Sequence, residues 1–180
     1  EADRKLVQTK PEANLTVEEE PEELVEEMVE RIAATGPEKV EGTYDRQKVV
    51  IPFDFVSNFD DGRYGRKIGD MIVTKIRKQG TFIVPDAIDI RDLCTQQAVK
   101  ITPNTPLKEI QRVLRDLFDA QIAVWGSCER APGHEWEVYD LTIKCADFSE
   151  NTEPKLLYEA TVRTKSVSEI PHLYVAEMLD

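Results

Sequence analysis

The stretch WEVYDLTIKCADFSENTEPKLLYEATVRT, residues 136–164, decides the fold. It holds two alternating runs around a polar turn. In the first, Tyr139, Leu141, Ile143 and Cys145 share one face. In the second, Leu156, Tyr158, Ala160 and Val162 do the same. Period-two alternation of this kind marks a half-buried strand. The connecting ENTEP, residues 150–154, has turn composition. Pairing Leu141 with Val162 places Ile143 opposite Ala160 and Cys145 opposite Tyr158. On the other face the same register matches Lys144 with Glu159, Thr142 with Thr161 and Asp140 with Arg163. A one-residue slip would turn each apolar set to the wrong side. Matched charges and a threonine pair are the cross-strand partners of a solvated face. One covered and one open face are therefore expected.

Working backwards, IAVWGSC at 122–128 is a near-continuous apolar run and predicts a central strand. A turn at Ala131-Pro132-Gly133-His134 would join it to the next strand, pairing Cys128 with residue 138 or 139. Cys145 then lies far from Cys128 along the sheet, so the two should stay unbridged. Thr105-Pro106 starts a helix carrying Leu107, Ile110, Leu114, Leu117 and Phe118. Residues 87–97 read as a short helix and Thr81 to Val84 as a short strand. Ile68, Met71, Ile72 and Ile76 mark a helix that Gly80 ends. KVVIPFDFV at 48–56 reads as a buried strand, with Pro52 restricted to an edge or bulge. Further upstream, Thr16 can cap a helix whose stripe is Leu24, Val25, Met28, Val29 and Ile32. Gly36-Pro37 stops it, and a last helix is expected from Pro171. The order α, β, α, β, α, α, β, β, β, α predicts an α/β two-layer sandwich. Its mixed sheet has helices on one face and an acidic N-terminal helical extension.

The chain has 180 residues, 35 of them acidic and 23 basic, for a net charge of −12. Residues 1–40 hold 12 acidic and 5 basic residues, net −7, which leaves −5 for the rest. This step divides an acidic arm and helix, 1–40, from an α/β domain, 46–180. The charge argues against broad phosphate neutralisation, hence against nucleic acid. No run approaches the ~18 apolar residues of a membrane span. Three cysteines are too few for a disulfide scaffold.

Candidate sites are sparse. Asp60-Asp61-Gly62-Arg63-Tyr64-Gly65 lies between a strand and a helix, where ligands and anions often bind. It lacks a nucleotide-loop pattern, and its carboxylates repel phosphate. Its plain reading is a turn entering a helix; its sharper reading is a partner contact. Arg63, Arg66, Lys67, Lys75, Arg77 and Lys78 make the helix basic outside its stripe. That face is either solvated or a receiver for the acidic segment 16–30. Trp125 reads as core, whereas Trp136 sits near a loop and is the better exposed contact. His134 and His172 have no cluster for zinc, and no serine occupies a nucleophile elbow. The site expectation is thus a partner contact at Asp61, Arg63, Tyr64, Arg66, Lys67 and Trp136. No catalytic residue, metal or cofactor is assigned.

Several segments share the pattern of a bacterial envelope fold: VVIPFDF, RKIGDMIVTKIRKQG, TFIVPD, PLKEIQRVLRDLFDA and AQIAVWGSCER with its meander. Over residues 46–180 the chain resembles the amino-terminal domain of TolB and the related LpoB and CsgG-type lipoproteins. The resemblance is carried by Pro52-Phe53, by Asp70 to Ile76 and by Ala120 to Gly126. It implies a non-catalytic interaction or assembly domain, periplasmic or outer-membrane-associated, with a lipid anchor upstream of Glu1. The implied partner is an envelope protein or a second copy. Departures are the acidic helix before the first strand and the lack of a TolB-like propeller. The residues themselves leave open a small-ligand or nucleotide-binding α/β domain, with or without enzymatic activity, and a cytoplasmic regulatory domain.

Overall fold

A computed structural model describes residues 21–39, 45–57, 59, 61–133, 138–149 and 153–165. The final helix expected from Pro171 lies outside these residues. Helix α1 (Pro21–Ala33) is followed by a small antiparallel pair, β1 (Glu38–Lys39) and β2 (Asp45–Arg46). Then come β3 (Val50–Pro52), α2 (Arg63–Gln79), α3 (Ala87–Gln96) and α4 (Leu107–Val113), which runs on as a π-helical turn at Leu114–Phe118. The strands β4 (Ile122–Arg130), β5 (Val138–Asp147) and β6 (Lys155–Lys165) complete a sheet of order β3-β4-β5-β6. β3 runs parallel to β4 and the rest are antiparallel, so the sheet is mixed and the class α/β.

The β5–β6 hairpin follows the expected register. Leu141 faces Val162, Ile143 faces Ala160 and Cys145 faces Tyr158. On the opposite side the Thr142 and Thr161 hydroxyls lie 3.1 Å apart, and Lys144 Nζ reaches Glu159 at 3.3 Å. Arg163 forks onto Asp140 through Nε at 2.8 Å and Nη2 at 3.1 Å. This last pair is buried, not solvated as expected. A bulge between Cys145 and Ala146 corrects one further residue. Leu157 becomes the extra residue and turns into the core, while Leu156 moves to the other face and is 47 % exposed.

The β4–β5 register differs from expectation. Cys128 lies opposite Leu141, two residues beyond the nearer expected partner, and Arg130 lies opposite Tyr139. Alternation fixes which face a residue takes but cannot detect a shift of two. Cys145 lies opposite Val124, and neither cysteine is bridged by a disulfide. β4 is central, as the apolar run implies, and β3 is an edge, one of the two places open to Pro52. The regular ladder of β3 is shorter than 48–56. Two isolated parallel bridges flank it: Val56 to Ser127 continues the pairing with β4, and Val49 to Ile83 lies on the other edge of β3. Thr81 to Val84 contributes only the second of these bridges rather than a strand.

Two apolar clusters flank the sheet. One joins Leu24, Val25, Met28 and Ile32 of α1 and Ile68, Ile72 and Ile76 of α2 to Val124, Leu141, Ile143 and Cys145. The acidic helix therefore packs on its own chain. Its Glu26 accepts a 2.7 Å bond from Lys75, so one cation of the basic α2 face does receive the acidic segment. The other cluster sets Ile51, Phe53, Ala123 and Trp125 against Ile90, Ile110, Val113 and Leu114. Helices on one face thus holds only for β5–β6. Successive residues of β3 and β4 are apolar, so both faces of that pair need cover, and α3 and α4 supply the second.

Candidate functional site

The exit of β3 is irregular. Phe53, Phe55 and Val56 donate their amides to Val124, Gly65 and Gly126 in turn. This crossing brings the chain against α2. A Cβ on Gly65 would lie 1.7 Å from the Phe55 carbonyl oxygen, and one on Gly69 would lie 2.8 Å from an Asp54 carboxylate oxygen. Two glycines one helical turn apart therefore let the strand exit lie on the first turns of α2. Gly62 precedes the helix at φ +80° and Gly80 closes it at φ +82°.

Between this exit, the start of α2 and α3 lies a cleft of about 390 Å³. Phe53, Ile90, Val99 and Ile101 give it apolar walls; Asp54, Asp61, Arg66, Arg91, Cys94 and Lys100 bring polar groups. Arg91 is tied down on one edge of its guanidinium. Its Nε donates to Asp54 at 2.6 Å, and its Nη2 donates to Asp70 at 2.7 Å and to the Arg66 carbonyl at 3.1 Å. The bond to Asp54, with that to Asp70, holds the guanidinium above its ordinary range against partial burial. Arg66 donates to the Asp61 carbonyl at 3.0 Å. Burial, with the nearby Asp54 charge, pushes the Cys94 thiol up to about 11. It is protonated at neutral pH and is not an activated nucleophile.

Of the expected contact residues, Asp61 and Arg66 line this cleft, and Arg63 and Lys67 occupy the same two turns of α2. Tyr64 does not join them. It is 3 % exposed and packs its ring 4.6 Å from Tyr139, with Phe59 alongside. Its position on the α2 stripe, four residues before Ile68, explains this. Trp136 and Asp60 lie outside the described residues. Sequence reasoning missed Asp54, Arg91, Cys94 and Lys100. The rule that ligands gather at strand carboxyl ends points to Asp54. Nothing in the spacing of Arg91 or Lys100 ties them to it, because an intervening helix separates them in sequence.

Among the described residues, no group of three or more His, Cys, Asp or Glu side chains could hold a metal ion. No described helix is long and apolar enough to cross a membrane. No family model matches the chain, and no curated protein matches its sequence. Some solved structures are similar to it. The LpoB C-terminal domain from Salmonella enterica is 8 % identical with a TM-score of 0.48, covering 82 % of this chain and 100 % of that one. The NMR structure of Escherichia coli LpoB is 9 % identical with a TM-score of 0.49, covering 79 % and 66 %. Lipoprotein GNA1162 from Neisseria meningitidis is 11 % identical with a TM-score of 0.42, covering 73 % and 94 %. Identities this low, with these TM-scores, bring no partner, activity or location to this chain.

Proposed function

We propose that this chain is a non-catalytic protein-interaction or assembly domain of a bacterial envelope system. The observation that carries the non-catalytic reading is the condition of two of the cleft's ionisable groups, Arg91 and Cys94. Arg91 is spent on two carboxylates and a carbonyl, and Cys94 is held as a neutral thiol. Neither is poised to move a proton or attack an electrophile at neutral pH. The envelope assignment rests on the sequence pattern of residues 46–180. An upstream lipid anchor and a domain boundary near residues 40–46 belong to the same reading. The cleft's size favours one other reading. About 390 Å³ lies within the ~300–1,000 Å³ of small-ligand pockets.

Fractionation with cross-linking tests the proposal. The full chain, produced in its native cells, should appear in the envelope fraction and yield a discrete protein adduct. A cytoplasmic protein that forms no adduct would overturn it. A rise in melting temperature with a small metabolite and no adduct would favour the ligand reading.

A further inference from the structure

The chain is strongly acidic, yet the mouth of the cleft is cationic. Arg66 and Lys100 line it, and Arg63 and Lys67 continue the charge along the first two turns of α2. Arg63, Lys67 and Lys100 form no ion pair with any described residue, although the chain carries an excess of carboxylates. The first turn of α2 contains no acidic residue. A helix start normally carries Asp or Glu, because its amides make it a positive pole. Here that pole and the added cations repel one another, a cost that an external carboxylate would relieve.

The described carboxylates that line the cleft do not cancel this charge. Asp54, like Asp70 beside it, is engaged by Arg91, so among the described residues Asp61 is the one other carboxylate lining the cleft. Beneath the charged mouth the walls are apolar: Phe53, Ile90, Val99 and Ile101. The volume suits a short segment rather than a packed helix.

We infer that the cleft seats an acidic peptide segment of a protein partner. One apolar side chain enters between Ile90 and Ile101, and flanking carboxylates meet Arg66 and Lys100. Arg63 and Lys67 attract the approaching segment, while Asp61 disfavours a carboxylate on its side and so helps orient it. This assignment rests on the protein-interaction reading above and adds the site and the partner's chemistry.

Amide NMR of the full chain tests it with three synthetic probes: a glutamate-rich peptide with a central leucine, its lysine counterpart, and its leucine-to-serine version. The first should shift Gly62, Arg66, Thr95 and Lys100 saturably. Its affinity should fall several-fold between about 50 and about 300 mM salt. The other two should bind about tenfold more weakly or not at all. Arg66→Glu with Lys100→Glu should weaken the first probe by about tenfold or more. Both residues contact the mouth rather than the core, and an unchanged melting temperature would verify folding. Lys67→Glu alone should mainly slow association. Equal binding of the lysine peptide, shifts confined to another surface, or no saturable shift at millimolar probe would overturn the site. So would an envelope adduct that forms unchanged with the double variant, although that result would leave the interaction reading standing.

Discussion

The two halves of the sheet bury their apolar residues in different ways. In β5–β6, polar and apolar residues alternate, and α1 and α2 cover one face. In β3–β4, successive residues are apolar and both faces are covered, one by α1 and α2 and the other by α3 and α4. The difference lies in where error is tolerated. The meander has an open rung at Thr142 and Thr161, where side chains can adjust. The β4 side has no such slack. A Cβ on Gly126 would stand 1.9 Å from the Thr142 carbonyl oxygen and 2.7 Å from the Phe55 ring.

The largest test of this contrast is Gly126→Ala. The new methyl can be housed only by moving strand backbone or the Phe55 ring. A loss of about 3 kcal/mol or more is expected in urea unfolding. A loss below about 1 kcal/mol would show that β4 and β5 have room after all. Next come Ile143→Ala and Ile110→Ala, which empty one cluster each. Both side chains are fully buried, so each should cost about 2–5 kcal/mol. If Ile110→Ala were nearly neutral, the second layer would be an accessory and the half-sheet contrast would fail.

Smaller and opposite in sign is Ala98→Gly. Ala98 sits just after α3 at φ +53°, where the Val99 amide bonds back to the Cys94 carbonyl at 2.8 Å. This is a glycine position occupied by alanine, so the change should stabilise by about 0.5–1 kcal/mol. The smallest effect belongs to Glu26. Its bond from Lys75, together with that residue's charge, lowers the carboxyl below its ordinary 4.5. A depressed carboxyl stabilises the fold above the ordinary value and loses that contribution as pH falls through the folded value. The difference in urea midpoint between wild type and Glu26→Gln should therefore shrink below about pH 4.5. In a Lys75→Met background it should be small at every pH.

Legibility followed the same division. Each of the six expected β5–β6 partners is met, because face and charge both had to match. The bulge was hidden, since Leu156 and Leu157 are both leucines and either could face inward. The second helical layer was hidden too. A run apolar at every residue shows that β4 is buried, but not which later helix covers its far side. At the cleft, the loop and the cations of α2 were visible, and Tyr64 was misplaced because a tyrosine can serve a core or a contact. Arg91 could not be foreseen. Its role comes from meeting Asp54 and Asp70 across two other elements.

By itself the sequence determined the α/β class, the central position of β4, the β5–β6 register up to its bulge and the apolar stripe that docks α1, and it restricted β3 to an edge or a bulge. These follow from periodicity and local chemistry, which act within a strand, a helix or a hairpin. Tertiary structure alone decided the two-sided cover of β3–β4, the engagement of Arg91 and the cationic mouth over an apolar cleft. Those depend on which distant segments share a surface, and no local spacing carries that information.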